Sequence, residues 1–156
     1  MKKYIIIEAI CIALTLLFVI SSVGFDRITT KSAEDIANEI IGLLSDKTSE
    51  KRDVLFIREK LDLDTELFSS VSYYSSDDIM NVNEIFVGVL KEKNSDAVKE
   101  AFEKYQSDKY KLFNGYAAEQ AAILNSYVYD EVSGAVIFIV AENADEIHSV
   151  FLNALE

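Results

Sequence analysis

The stretch Tyr127-Val-Tyr-Asp-Glu-Val-Ser-Gly-Ala-Val-Ile-Phe-Ile-Val-Ala141 contains the clearest local signal in the chain. Two runs with strong β propensity flank Ser133-Gly134, a residue pair typical of a two-residue hairpin turn. The run after the turn is apolar at every position, as expected for a central strand that is buried on both faces. Asp130 and Glu131 interrupt the run before the turn, which favours an edge strand. The sequence therefore predicts a hairpin with one inner and one outer strand.

A second pair of strands is predicted earlier in the chain, at Ser69–Ser75 and Val82–Lys91. The later strand of this pair is apolar on both faces, so it also belongs in the middle of a sheet. A connection through Ser76-Asp77-Asp78 joins the two strands. In chain order, the four strands are expected to lie side by side as first, second, fourth, third.

Helices separate and flank these strands. Ser32 is expected to cap a helix that ends near Ser45 or Asp46, and Asn94-Ser95-Asp96 to cap a long helix ending at Phe113. Asn143 is expected to cap the last helix. Shorter helices are predicted at Val54–Leu61 and Ala117–Leu124, and residues 47–53 form a charged loop. The fold class is α+β: a four-stranded, largely antiparallel sheet of two hairpins, with helices on one face.

The first 25 residues predict a membrane segment. The apolar run from Tyr4 to Phe25 contains one charge, Glu8, and it has the roughly 20 residues that a helix needs to cross a bilayer. Lys2 and Lys3 precede the run, so the N-terminus should stay in the cytoplasm. The alternative is a signal peptide cleaved before Phe25, and the length of the apolar run favours the uncleaved anchor.

The predicted organisation is an anchor or signal peptide at 1–25, a tether at 26–31 and an extracytoplasmic domain at 32–156. Setting aside Glu8, Lys2 and Lys3 leaves 26 acidic and 13 basic residues, a net charge of −13 on the outer part. Nucleic-acid binding requires clustered basic residues, so this balance argues against it. It also argues against lying on an anionic lipid surface. We expect a single-pass protein of the cell membrane, or a secreted one if the leader is cleaved.

Several segments together resemble a known family. They are the Ala-Glu-Asp-Ile-Ala helix from Ala33, Leu61-Asp-Leu-Asp-Thr-Glu-Leu67 leading into Tyr73-Tyr74, Asn83-Glu-Ile-Phe-Val-Gly-Val-Leu-Lys91, Asp96-Ala-Val-Lys-Glu-Ala-Phe102, and the closing hairpin and helix. Over residues 32–155 the chain resembles an uncharacterised family of membrane-anchored extracytoplasmic proteins of Gram-positive bacteria, classed as a domain of unknown function. Many members look like lipoproteins, whereas Ile10 precedes Cys11 here and no lipobox is formed. The resemblance implies a location and a fold, and no catalytic residues.

Motifs for chemistry are scarce. Asp62, Asp64 and Glu66 alternate as in the start of a calcium loop, but the Gly and Glu that an EF-hand needs further on are replaced by Leu67 and Tyr73. His148 is the single histidine, and no cysteine follows Cys11, so an ordinary zinc site is not expected. No Gly-x-Ser-x-Gly elbow is present. We therefore expect no catalytic residues, no metal and no cofactor.

A binding surface is predicted on one face of the sheet. Hairpin pairing places Tyr129 opposite Phe138 and Tyr127 opposite Val140, on the face that also carries Phe86. The β-branched opposite face, with Val128, Ile137 and Ile139, is expected to receive the helices. The aromatic face is then expected to stay partly open and to bind a partner through Tyr127, Tyr129, Phe138 and Phe86. The alternative is that the two short helices fold over it and make it core.

The sequence favours a non-enzymatic binding or accessory module of the cell envelope. Its partner would be an unidentified envelope component or a membrane protein. Two alternatives stay open: a small carboxylate-dependent hydrolase of the envelope, since acidic residues are plentiful, and a structural subunit of a membrane assembly.

Overall fold

A computed structural model describes residues 28–92 and 96–156, so the predicted leader and the predicted cap at Asn94-Ser95 lie outside the described residues. Within these ranges, helices and strands follow in the order α1 (Ala33–Ile40), β1 (Glu50–Arg52), α2 (Val54–Leu61), β2 (Phe68–Ser75), β3 (Glu84–Leu90), α3 (Asp96–Phe113), α4 (Ala118–Asn125), β4 (Val128–Val132), β5 (Ala135–Val140) and α5 (Ala144–Ala154). The α+β class is confirmed.

The described strands form one antiparallel sheet in the order β1-β2-β3-β5-β4. The predicted order of the four main strands is therefore correct. Val132 pairs with Ala135 and Tyr129 with Phe138, as the hairpin pattern indicated. Ser133 and Gly134 both have positive φ, 51° and 72°, the backbone form that a two-residue type I′ turn requires.

The sheet has five strands rather than four. Glu50–Arg52, expected to be part of a loop, is β1 and pairs with the outer edge of β2. Three charged residues show no apolar alternation, so the sequence pattern that reveals a half-buried strand is missing here. Charged side chains are nevertheless suited to an edge strand, because they discourage further strand addition.

Helices cover both faces of the sheet, which corrects the expectation of one covered face. The aliphatic face, with Ile85, Val87, Val89, Ile137 and Ile139, packs against α1 and α5. The aromatic face, with Phe86, Phe138 and Val140, packs against α2, α3 and α4. The long helix α3 supplies Val98 and Phe102 to the aromatic face. The helices therefore carry enough apolar surface to cover both faces of the sheet.

Two helix ends differ from the sequence-based expectation. Ser32 caps α1 through a capping box with Asp35, but the α-helix ends at Ile40 and continues as a 3-10 turn over Ile41–Leu43. Asn143 occupies the cap position of α5 without a side-chain cap bond. Its side-chain amide instead donates to the Leu43 carbonyl at 3.0 Å, which ties α5 to the end of the 3-10 turn.

The sheet has two distinct ends. At the hairpin end, the Thr29 backbone N–H donates to the Ser133 carbonyl at 2.7 Å, and Ile28 lies against Gly134. At the loop end, Glu84 pairs with Val140, and the connection 76–83 joins β2 to β3. The described chain thus begins at the end opposite Glu84.

Across residues 28–92 and 96–156, none of the helices combines the length and the apolar character that crossing a membrane requires.

Candidate ligand cleft at Glu84

Glu84 is a carboxylate buried in the core. It begins β3 and lies on the aromatic face, two residues before Phe86, and it is only 1% exposed. Burying an ionised carboxylate costs several kcal/mol unless it is paired and hydrogen-bonded. The surroundings of Glu84 must therefore supply that compensation.

Three side chains bond to Glu84. The Tyr73 hydroxyl donates to Oε2 at 2.6 Å, and the Tyr105 hydroxyl donates to the same oxygen at 2.9 Å. Lys109 Nζ donates to Oε1 at 3.0 Å and forms an ion pair whose lysine side chain is 17% exposed. Both carboxylate oxygens are therefore occupied by donors, and the charge is neutralised in place.

The local folds explain how these groups meet. Tyr73 lies on β2, directly opposite Phe86 on β3, so its ring enters the same layer as Glu84. Tyr105 and Lys109 are four residues apart on α3 and thus share one side of that helix. Lys109 Nζ lies 5.5 Å from the centroid of the Tyr105 ring, a cation–π contact that adds to the ion pair.

The buried carboxylate also shifts the acidity of its neighbours. Burial, followed by the negative charge of Glu84, raises the pKa of Tyr73 well above its ordinary value. The same two causes raise the pKa of Tyr105. Both phenols therefore stay protonated and act as fixed hydrogen-bond donors to the carboxylate.

A cleft of about 290 Å³ borders this cluster. Its walls include Phe56, Asn83 and Phe113, together with the connection 76–83. Two apolar side chains at its mouth are largely exposed, Ile79 at 82% and Leu112 at 67%. Tyr116, also exposed, stacks on Phe113 with ring centroids 5.6 Å apart. Exposed apolar side chains therefore border a hollow whose lining also includes the polar groups of the Glu84 cluster.

Arg52 holds one lip of the cleft in place. Its guanidinium donates to the Ser75 carbonyl from Nη2 at 2.7 Å and from Nε at 3.1 Å. Nη1 forms an ion pair with Asp77 at 2.8 Å, and the group lies over the Phe56 ring. The short strand β1 thus fixes both α2 and the start of the connection 76–83.

The predicted binding residues separate into two groups. Phe86 and Phe138 are fully buried, so the expectation that the aromatic face stays open is wrong. Phe102 of α3 stacks on Phe138 at 4.6 Å between centroids and closes that face. Tyr127 and Tyr129 are partly buried and line a shallow groove of about 540 Å³ beside β4.

The acidic and histidine motifs have structural roles. Asp62 adopts a left-handed conformation at the end of α2, and Asp64 accepts a hydrogen bond from the Glu66 backbone. His148 Nε2 lies 2.7 Å from an Asp130 carboxylate oxygen, linking α5 to β4. Among the residues described, no group of three or more His, Cys, Asp or Glu side chains is placed to hold a metal ion.

The Glu84 cluster was not predicted from the sequence. One signal was available. Glu84 lies at an even spacing from Phe86 and Leu90, so all three side chains point to the same face of the strand. Because this strand is expected in the middle of the sheet, that face is expected to be buried. A carboxylate in such a position requires partners. Those partners come from β2 and α3, and no spacing in the sequence connects them to Glu84.

Comparison with known proteins identifies the family and nothing beyond it. No curated protein and no solved structure matches the chain. The family model described as "Domain of unknown function (DUF4358)" matches residues 44–141, more than half of the chain. The matched range contains all five described strands and the four residues of the Glu84 cluster. The chain belongs to the family of the domain of unknown function DUF4358.

Proposed function

We propose that this chain is a membrane-tethered extracytoplasmic binding or accessory module of a Gram-positive cell envelope. The apolar run Tyr4–Phe25, preceded by Lys2 and Lys3, supports a single span with the N-terminus in the cytoplasm. The net charge of −12 supports a solvated domain that does not bind nucleic acid. The partner is an envelope component or a membrane protein.

The observation that carries the binding function is the cleft beside Glu84 with its exposed apolar rim. Ile79 and Leu112 expose most of their side chains at its mouth. Contiguous exposed apolar surface marks an interaction site more often than single exposed residues do. A concave site with a few fixed polar groups is the usual form of a ligand pocket.

The bonding at Glu84 favours binding over catalysis. A general base must lie within hydrogen-bond reach of its substrate, and so cannot be buried away from it. Glu84 is buried, its two oxygens accept from Tyr73, Tyr105 and Lys109, and the raised pKa of both phenols keeps them protonated.

A carboxylate-dependent envelope hydrolase is the second candidate, favoured by Asp77 and Asp78 at the mouth of the same cleft. A structural subunit of a membrane assembly is the third.

Two measurements test this function. A reporter fused after Glu156 is expected to be active only outside the cytoplasm, and the mature protein to retain Met1–Gly24. Soluble protein that begins at Phe25 would contradict the tether.

In cells that lack the chain, Glu84→Gln is expected to impair complementation only as far as it lowers the amount of folded protein. Complete loss of complementation by a fully folded variant would favour the hydrolase.

A further inference from the structure

We propose that the loop end of the domain is a docking surface for a basic polypeptide segment that also carries an apolar side chain. This inference rests on the proposed tether. We call the surface the loop-end patch, and it comprises four exposed apolar side chains and three acidic ones: Ile79, Met80, Leu112, Tyr116, Asp78, Glu119 and Glu142.

Ile79 and Met80, two of the four apolar side chains of the patch, are presented by an ordered turn. The Met80 N–H donates to the Asp78 side chain at 2.9 Å, and the Asn81 N–H donates to the Asp78 carbonyl at 3.0 Å. The Asn81 side chain is in turn bonded to Thr48. Ile79 is therefore held in the solvent at the mouth of the cleft by a turn that is itself fixed. An apolar side chain on an ordered turn loses little conformational freedom when a partner binds, which favours binding.

The acidic part lies immediately beside it. A second hollow of about 360 Å³ shares Asp78, Asn81 and Asn83 with the Glu84 cleft and is lined further by Glu119 and Glu142. None of the residues lining this second hollow is Lys, Arg or His. Carboxylates gathered without a counter-charge attract a cationic partner, and the net charge of −12 increases that attraction.

The position of the patch favours a polypeptide over lipid. The described chain begins at the hairpin end, where Thr29 bonds to Ser133, whereas the patch lies beyond Glu84. The length of β3 separates the two ends by about 20 Å, at about 3.3 Å per residue. The patch therefore lies at the end of the sheet opposite the point where the proposed tether would join the domain. Acidic side chains would in any case repel an anionic lipid surface.

The two parts of the patch define the occupant. An apolar side chain of the partner packs between Ile79 and Leu112 at the mouth of the cleft, and a lysine or arginine enters the neighbouring hollow. A neutral sugar would gain hydrogen bonds but no ionic attraction from Glu119 and Glu142. An acidic segment would be repelled by them.

Photo-crosslinking in living cells tests the proposal. The full chain carries a benzophenone amino acid in place of Leu112 or, as the matched control, in place of Leu55, which is equally exposed at 67%. We expect at least about fivefold more adduct at position 112, in line with a difference of roughly 1 kcal/mol or more in contact free energy. Mass spectrometry of the adduct should identify a peptide with lysine or arginine beside an apolar residue.

A charge variant completes the experiment. Glu119→Gln with Glu142→Gln is expected to reduce the adduct at position 112 several-fold, while Glu100→Gln with Glu103→Gln on α3 should leave it unchanged. A lipid, glycan or acidic-peptide adduct would overturn the proposal, as would equal yields at both positions or no adduct at all. A cytoplasmic reporter signal from the Glu156 fusion would separately contradict the tether, whatever the crosslinking shows.

Discussion

The two faces of the sheet bury different chemistry. The aliphatic face is filled by isoleucine, valine and alanine against α1 and α5. The aromatic face stacks Phe86, Phe102 and Phe138, and it also contains the one buried ion pair formed within the described residues, Glu84 with Lys109. The side chains at the centre of both faces are fully buried. The two faces therefore differ in composition and not in exposure.

This difference favours the aromatic face as the location of the proposed binding site. Aliphatic packing needs no directional contacts and closes completely. The aromatic face is bordered at its loop end by the Glu84 cleft. A polar cluster under a cleft costs stability unless all its bonds are made.

Removing the central ring of the aromatic face should have the largest effect. Phe102→Ala deletes the stack on Phe138 and the contacts to Phe86 and Tyr129. We expect the free energy of unfolding to fall by about 3–5 kcal/mol in urea denaturation. Leu112→Ala on the exposed side of the same helix is the control, with a change within about 0.5 kcal/mol. Equal effects of the two variants would mean that α3 does not close this face.

Neutralising the buried carboxylate should rank second. Glu84→Gln keeps the shape of the side chain and leaves Lys109 without its anion, so we expect a loss of about 3 kcal/mol. Adding Lys109→Met to that variant should restore part of the loss, because the orphaned charge is removed. Glu103→Gln breaks the exposed pair with Lys99 and should change stability by less than about 0.5 kcal/mol. If Glu84→Gln left the free energy of unfolding unchanged, the cluster would make no net contribution to stability.

Alkaline pH should weaken the aromatic face specifically. The pKa of Tyr73 and of Tyr105 is raised above 10 in the fold, chiefly by burial and then by Glu84. Their contribution to stability is complete below about pH 10, the unfolded value, and is lost as the pH rises above it. Each adds a slope of up to about 1.4 kcal/mol per pH unit. Tyr105→Phe should remove one such slope, measured as the change in the free energy of unfolding between pH 9 and pH 11.

Substitution at the edge of the aliphatic face should have the smallest effect on stability. His148 and Asp130 form a partly exposed contact between α5 and β4. His148→Gln is expected to cost less than about 1 kcal/mol and to leave the cellular role intact. Chelators are expected to leave the melting temperature unchanged. A drop in melting temperature with chelator, reversed by calcium or zinc, would show that these residues serve a metal.

Local patterns predicted most of the fold, and they failed where long-range contacts decide. The Ser133-Gly134 turn and the alternation of Ile137 with Phe138 fixed the hairpin register, because both signals are contained in neighbouring residues. The charged strand β1 carries no apolar pattern, so only its pairing with β2 reveals it. Burial of Phe138 depends on Phe102 of α3. The apolar stripe of α3 predicts a buried helix face, but it does not indicate which face of the sheet that helix covers. The Glu84 cluster likewise joins three separate elements, and spacing along the chain is uninformative about such meetings.

The bond between Thr29 and Ser133 also places the start of the described chain where a mechanical pull would first meet the sheet. A pull transmitted along the chain from upstream of Ile28 enters the fold at the tip of the β4–β5 hairpin. Strand β5 is paired on both sides, with β3 and β4, so a force applied at its end is distributed over two ladders of hydrogen bonds. Under the proposed tether, such a pull would therefore reach the hairpin tip before the cleft at the far end of the sheet.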